Sequence, residues 1–385
     1  MNNLKWRYYK NSLFQLFCYT CLSVMVMIIC LFFLKVISDS YLSFLQPQVK
    51  VSVGNLEKFT TPEEKIVNLN QQLNTNLGKF QKIFFFSYHA AKNLKYISQD
   101  FKEPIWLPAS NIVGAFLKDA NSIKDKDILA ILENLKNKQQ IRLALSFNIF
   151  TNKDSREPES AGILGGLIGS IGITCIAIML VLPLGILTAI YLEEFSKRNI
   201  LHFIIEVNIN NLATIPPIVY GLLGLSVFIG SFNLPRSSLI VIALTVAILT
   251  LPTIIILAKQ SIQAVPANIK RAALALGASD LQATFHHVLP NAIPSIITSA
   301  ILCISRILGE TAPLMILGSI AFIKDVPDNI FAPTTTLPVL VYNWSRAMEN
   351  AYQELASTAI LVLMILISLF NYLAIKIRSK YEFKW

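Results

Sequence analysis

Residues 259–290 read KQSIQAVPANIKRAALALGASDLQATFHHVLP. This polar stretch lies between two apolar runs, approximately 237–258 and 292–320. Each run is long enough to cross about 30 Å of hydrocarbon. Pro266 can open a helix, AALAL is strong helix former, and Gly277 can terminate the helix in the left-handed conformation. A second amphipathic piece, SDLQATFHHVL, leads to Pro290. The pattern predicts two short helices joined at a tight glycine turn. They would stand outside the membrane as a knob for a soluble partner, and a plain surface loop has no need of such patterning.

Working outward, the 385 residues are 54% hydrophobic and 15% charged, where a soluble domain has roughly a quarter charged. The deficit comes from six apolar stretches, approximately 11–37, 162–192, 211–232, 237–258, 292–320 and 355–377. The first follows Lys5, Arg7 and Lys10. It is too long for the apolar region of a signal peptide and lacks a small-x-small cleavage site, which predicts an uncleaved anchor. The expected fold class is an all-α polytopic membrane protein with six transmembrane helices. It divides into 1–37 (a cytoplasmic N-terminus and first span), 38–160 (an extracytoplasmic insertion) and 161–385 (the membrane domain, with the loop 259–290 in the cytoplasm).

The net charge of +10 reads as orientation rather than nucleic-acid binding. With the N-terminus in the cytoplasm, the cytoplasmic segments hold Lys5, Arg7, Lys10, Lys197, Arg198, Lys259, Lys270, Arg271, Lys376, Arg378, Lys380 and Lys384. The short outer loops hold Arg236, Lys324 and Arg346. This is the positive-inside bias, from which long loops are largely exempt. It predicts a multi-pass protein with both termini cytoplasmic. Cys18, Cys21, Cys30, Cys175 and Cys303 all fall in apolar runs, so no extracellular disulfide framework is expected. Cys18 and Cys21 read as ordinary span residues rather than a redox or metal pair.

The insertion 38–160 alternates in VKVSV (49–53) and IRLALSFNIF (141–150), which predicts strands. Helix-like stretches cover about 63–96, SNIVGAFLKD with Ser110 as cap, and KDILAILENLKNK (126–138). A small α+β domain follows from this, with His89 in a surface or packing role. In the next span, Gly162, Gly165, Gly166, Gly169 and Gly172 form a smooth stripe that lets another helix approach closely. No G-x-x-x-x-G-K-[ST], H-E-x-x-H or G-x-S-x-G occurs, so no ATP site of the P-loop kind is expected.

KRAALALGAS followed by HVLP resembles the EAA loop of ABC importer permeases. That motif reads E-A-A, three residues, Gly, nine residues, then a hydrophobic-x-Leu-Pro ending. Ala272, Ala273, Gly277, Leu289 and Pro290 fit; Arg271 stands where the glutamate is usual, and His287 where an aliphatic residue is common. PLGILTAIYLEEF (183–195), NNLATIPPIVYGLLG (210–224), RILGETAPLMILG (306–318) and TTLPVLVYNW (335–344) occur in the order seen in phosphate ABC permeases of the PstA type. IWLPAS (105–110) is also reminiscent of an N-terminal region in longer members. The resemblance covers about 161–378 and implies a type I ABC importer permease fold in the bacterial inner membrane. It implies as partners a second permease of the PstC type, an ATPase dimer of the PstB type and a phosphate-binding protein of the PstS type, besides membrane lipid. It implies no cofactor on this chain, ATP being used by the partner ATPase, which the loop from Arg271 to Pro290 would engage.

Within RILGETAPL, Arg306 costs roughly 2.5–3.5 kcal/mol at mid-bilayer. Glu310, four residues on, is expected on the same helical face as its ion-pair partner. Gly309 allows close approach, and Pro313 denies a hydrogen bond to the Gly309 carbonyl. Together with Thr311, and with the tandem Pro216 and Pro217 that interrupt another span, these residues are the candidate translocation pathway. A guanidinium matches the fork geometry of a tetrahedral oxyanion, and a carboxylate could accept the proton of monohydrogen phosphate. The bland alternative is a buried ion pair that fixes helix packing. Asn210 and Asn211 are expected to cap the proline-containing span. Other readings of the whole are a permease for another oxyanion or solute, a phosphate-status signalling scaffold, an ion-coupled secondary transporter, and least of all a membrane enzyme.

Overall fold

A computed structural model of the protein describes residues 2–51, 105–119, 123, 125–319 and 322–381. The helix expected at 63–96, the last two residues of the strand expected at 49–53, and His89 lie outside the described residues. Five described helices are long and apolar enough to cross a membrane, and a bent pair can supply a sixth span. The long ones are α1 (Asn2–Ser43), α4 (Leu164–Ile190), α7 (Leu239–Gln263), α10 (Leu289–Gly309) and α13 (Asn350–Tyr381). The bent pair is α5 (Ile200–Thr214) with α6 (Pro217–Gly224), the latter running on as a π-helical turn to Ser231. Their axes differ by 99°.

That bend is the break expected at the tandem prolines, although the helical pair begins at Ile200, ahead of the apolar run expected at 211–232. Neither Pro216 nor Pro217 can donate to a carbonyl one turn back, so the helix breaks there. Asn210 and Asn211 lie inside α5 and are exposed, not at its start. The cap is Asn199, whose Oδ1 accepts a 2.9 Å hydrogen bond from His202 N. The fifth apolar run is likewise divided: α10 ends at Gly309, and a short helix α11 (Ala312–Ile316) follows.

α7 is the central element. Two thirds of its apolar window is buried, against 6% for α1, which packs mainly on α13. Ile242, Ile254 and Val246 of α7 meet Ile173, Ala177 and Val181 of α4 and Cys303 and Ile307 of α10 in one cluster. The glycine stripe of α4 lets the chain approach as expected. The neighbour is a helix at Gly166, which meets Leu340 of α12 (Leu337–Ser345), and at Gly172, which meets Leu239 of α7, whereas Gly169 meets the extended segment before α12. A Cβ on Gly169 would come 2.0 Å from the Thr335 carbonyl oxygen, and one on Gly166 would overlap Leu340.

The described part of the insertion is α+β. Strands β1 (Leu45–Val51), β2 (Ile105–Pro108) and β3 (Ile141–Leu145) form an antiparallel sheet in the order β2-β1-β3. Val49 faces Leu107 on one side and Ile141 on the other. Helices α2 (Asn111–Lys118) and α3 (Lys126–Asn137) cover it, with Val113, Phe116 and Leu132 buried. Ser110 stands at the cap position of α2 but makes no side-chain cap bond.

The insertion is tied to the membrane domain by the Lys118–Glu354 ion pair and by Asn111 Nδ2, which donates to Glu349 Oε2 at 2.8 Å. Nearby, the buried Asp154 accepts from Trp344 Nε1 (3.2 Å) and from Ser155 N (3.0 Å). Burial still pushes its carboxyl up to about 6, against the pull of those two hydrogen bonds. Burial raises Glu159, also at this junction, to about 7.

Candidate functional site

The predicted pathway residues gather where α10 breaks. Gly309 is its last residue, and Glu310 follows with extended backbone (φ −76°, ψ 127°). Thr311 opens α11, its carbonyl accepting from Met315 N at 3.1 Å. A Cβ at Gly309 would meet nothing within 4 Å, so its outer side is open. Across from α11, a Cβ on Gly221 of α6 would come 2.8 Å from Pro313 Cα. The close approach of these two backbones brings the tandem-proline block and the GETAP block together.

Arg306 occupies the last turn of α10 and is half-buried. Its Nη1 donates to Thr253 Oγ1 of α7 at 3.1 Å. The expected ion pair with Glu310 is not formed: among the described residues no ion pair joins the two. The physical reason is the helix end. The i, i+4 relation needs helical backbone at both residues, and the extended turn at Glu310 carries its side chain elsewhere. Glu310 instead lines a small cavity with Ser170, Thr174 and Thr336.

The proline break leaves carbonyls that need partners, since lipid offers none. Pro216 has no N–H for the Leu212 carbonyl. Tyr220, buried on α6, supplies its hydroxyl instead, donating to Leu212 O at 2.8 Å. The sequence does not single out Thr253 or Tyr220. A threonine or tyrosine in an apolar run carries no charge to draw attention, and only the tertiary contacts give these two their roles.

The knob forms as expected. Helix α8 (Ala267–Ala275) ends at Gly277, whose φ of +92° favours glycine. Gly277 N donates to Leu274 O and Ala278 N to Ala273 O, closing the helix with a Schellman pair. Ser279 and Gln282 form a capping box on α9 (Asp280–Ala283). The helical run then continues through a π-helical turn (Thr284–Val288) into α10 without a break at Pro290. Leu289 and Pro290 are half-buried there, Ala273 is buried beneath the knob, and Arg271 and Ala272 are exposed. So is an apolar tip: Leu276 is 90% exposed and Leu281 59%.

A charge network absent from the sequence reading fixes the knob to the bundle. Lys270 of α8 pairs with Glu194 (2.5 Å) just after α4 and lies 3.7 Å from Asp280. Gln263 Nε2 donates to Glu193 Oε2 at 2.8 Å, and Lys259 of α7 pairs with Glu206 of α5. The block YLEEF signals Glu193 and Glu194 only as two adjacent acids at a span end.

Residues 181–379 match the family described as "Binding-protein-dependent transport system inner membrane component". The chain is 32% identical over 241 residues to the probable ABC transporter permease protein YqgI of Bacillus subtilis (strain 168), covering 59% of this chain and 81% of that protein. It is 29% identical over 226 residues to the phosphate transport system permease protein PstA of Haemophilus influenzae (strain ATCC 51907 / DSM 11121 / KW20 / Rd), covering 58% and 78%. Among solved structures, an inward-facing conformation of the MetNI methionine ABC transporter is similar over 57% of this chain and 95% of that one, at 16% identity and a TM-score of 0.45.

Proposed function

The chain belongs to the family of binding-protein-dependent transport system inner membrane components, and from that premise we propose that it is the PstA-type permease subunit of an ATP-driven phosphate importer. It forms half of a translocation pathway whose other half is a PstC-type permease. A PstS-type protein delivers phosphate from outside, and a PstB-type ATPase dimer hydrolyses ATP in the cytoplasm. This chain does no chemistry of its own and holds no cofactor.

The observation that carries the reading is Arg306. A guanidinium placed this deep in an apolar run is costly unless it faces a cavity or a partner. Here its hydrogen-bond partner, among the described residues, is a single neutral hydroxyl, that of Thr253. Most of its five donors therefore remain to meet an oxyanion arriving beside the open flank of Gly309. Contacts should be few, because an anion held tightly would not leave. Glu310, one residue past Gly309, accepts a hydrogen bond from the P–OH of monohydrogen phosphate and so disfavours sulfate, which has no proton to donate. Pro216, Pro217 and Thr311 shape the wall next to this point. The exposed apolar tip at Leu276 and Leu281, with Arg271 beside it, seats in the ATPase; an acidic residue there compensates for Arg271.

The test is uptake of labelled phosphate by the full transporter. Arg306→Gln should reduce the rate by at least about tenfold, as loss of a charged contact of about 1.5–3 kcal/mol implies. Glu310→Gln should reduce it less and admit competition by sulfate. Normal phosphate uptake with both changes in place would remove the proposal. Wild-type competition by sulfate or molybdate as strong as by phosphate would reassign the cargo to another oxyanion.

A further inference from the structure

Behind Glu310 lies a small cavity of mixed polar and apolar lining inside the apolar core. Ser170 and Thr174 of α4 and Thr336, just before α12, bring hydroxyls to it, at 2%, 1% and 4% exposure. Ile307 and Leu314 close it with apolar side chains. Ser170 Oγ already accepts from Leu337 N at 2.9 Å. The hydroxyls of Thr174 and Thr336 have no hydrogen-bond partner among the described residues. Buried hydroxyls of this kind are costly and are ordinarily satisfied. The cavity measures about 10 Å³, near the least that admits one water, and a buried water needs two to four polar partners.

We propose that this cavity is a binding site for a single water molecule, held between the Glu310 carboxylate and the hydroxyls of Thr174 and Thr336. Those two threonines thereby position Glu310 for its transport role, so the inference rests on the reading of Glu310 given above. The water donates to the carboxylate and shares its other hydrogen bonds with the two hydroxyls. The carboxylate is thereby steadied against α4 and the segment before α12. A hard cation would want six or more oxygens. The cavity offers one carboxylate and three hydroxyls, that of Ser170 already accepting one bond from Leu337 N, fewer oxygens than such a cation wants, which favours water.

The experiment uses the whole transporter in liposomes with Thr174→Val, Thr336→Val, the corresponding serine changes, and Glu310→Gln, alone and combined. Each valine change should lower the maximal phosphate uptake rate by about three- to tenfold, with a smaller change in the phosphate concentration at half-maximal rate. Each serine change should restore the rate. In the Glu310→Gln background the valine changes should add nothing further, since all act through one carboxylate. Valine variants at the wild-type rate, or losses fully additive with Glu310→Gln, would overturn the inference. Normal transport by Glu310→Gln would remove the parent reading and this one with it. An impaired Glu310→Gln beside unimpaired valine variants would remove this one alone. A rate that depends on Na⁺ at constant ionic strength would replace water by a cation and overturn the assignment. Should the valine variants fail to assemble, a high-resolution map of the wild-type complex decides: ordered density joining the three residues supports the site, and a dry cavity refutes it.

Discussion

Tyr220 does at the proline break what a backbone N–H does elsewhere. Its hydroxyl meets the Leu212 carbonyl that Pro216 cannot serve. Tyr220→Phe keeps the ring and removes the donor, leaving that carbonyl with only the 3.2 Å bond from Ile215 N. The expected loss is about 1 kcal/mol, read as a lower melting temperature of the detergent-purified protein. A melting temperature equal to wild type would mean that lipid-side or subunit contacts already satisfy the carbonyl. At this scale the sequence is partly legible. Arg306 announces itself as a charge in an apolar run, and Gly277 as a glycine after a strong helix former. The partner of Arg306 is not legible, because helical spacing points to Glu310 while the chain stops being helical one residue before it. Thr253 lies 53 residues away on another helix, and no local pattern reports such a contact.

Elements are more readable than the angles between them. Six apolar runs mark where the spans lie, and the two prolines mark where one must fail, but the 99° turn of α5 into α6 depends on what each half packs against. α5 has no buried residue, whereas α6 is pinned by Gly221 against Pro313. Alternation marks β1 and β3, although the strand expected over 141–150 ends at Leu145 and 148–151 is helical; the four-residue β2 and the insertion's attachment to α13 do not show. That attachment carries a pH dependence. Asp154 titrates near 3.8 when unperturbed and near 6 when folded. Between those values the folded chain binds more protons than the unfolded chain, so stability falls as pH rises. The favourable contribution is complete below about 3.8 and lost as pH passes about 6. Glu159 extends the window to about 7. The double variant Asp154→Asn, Glu159→Gln cannot ionise at either position, and the amide introduced by Asp154→Asn keeps a carbonyl oxygen for Trp344. Thermal unfolding between pH 4 and about 7.5 should show a declining melting temperature for the wild type and a flatter one for the double variant. Parallel curves would place the pH response elsewhere.

For the whole molecule, the basic residues and the two ends of the bundle make one orientation testable. The knob with Leu276 and the charge network lie at one end. The 322–336 segment lies at the other, near the insertion, where Lys153 meets Asp325 at 2.9 Å. Positive-inside bias predicts that the knob faces the cytoplasm. The Leu276→Cys variant should react with a membrane-impermeant maleimide only after permeabilisation. The Asp328→Cys variant should react in intact cells. The reverse pattern would invert the topology and forbid ATPase docking at the knob.

The uninterrupted helical run from Asp280 to Gly309 has a mechanical consequence. About thirty residues at about 1.5 Å each make a rod of roughly 45 Å, with Leu281 of the apolar tip at one end and Arg306 near the other. Such a shaft needs no relay of side chains. A tilt of a few degrees imposed at the knob end would become a displacement of a few ångströms at the guanidinium, and α11 stands outside the rod because the backbone turns extended at Glu310.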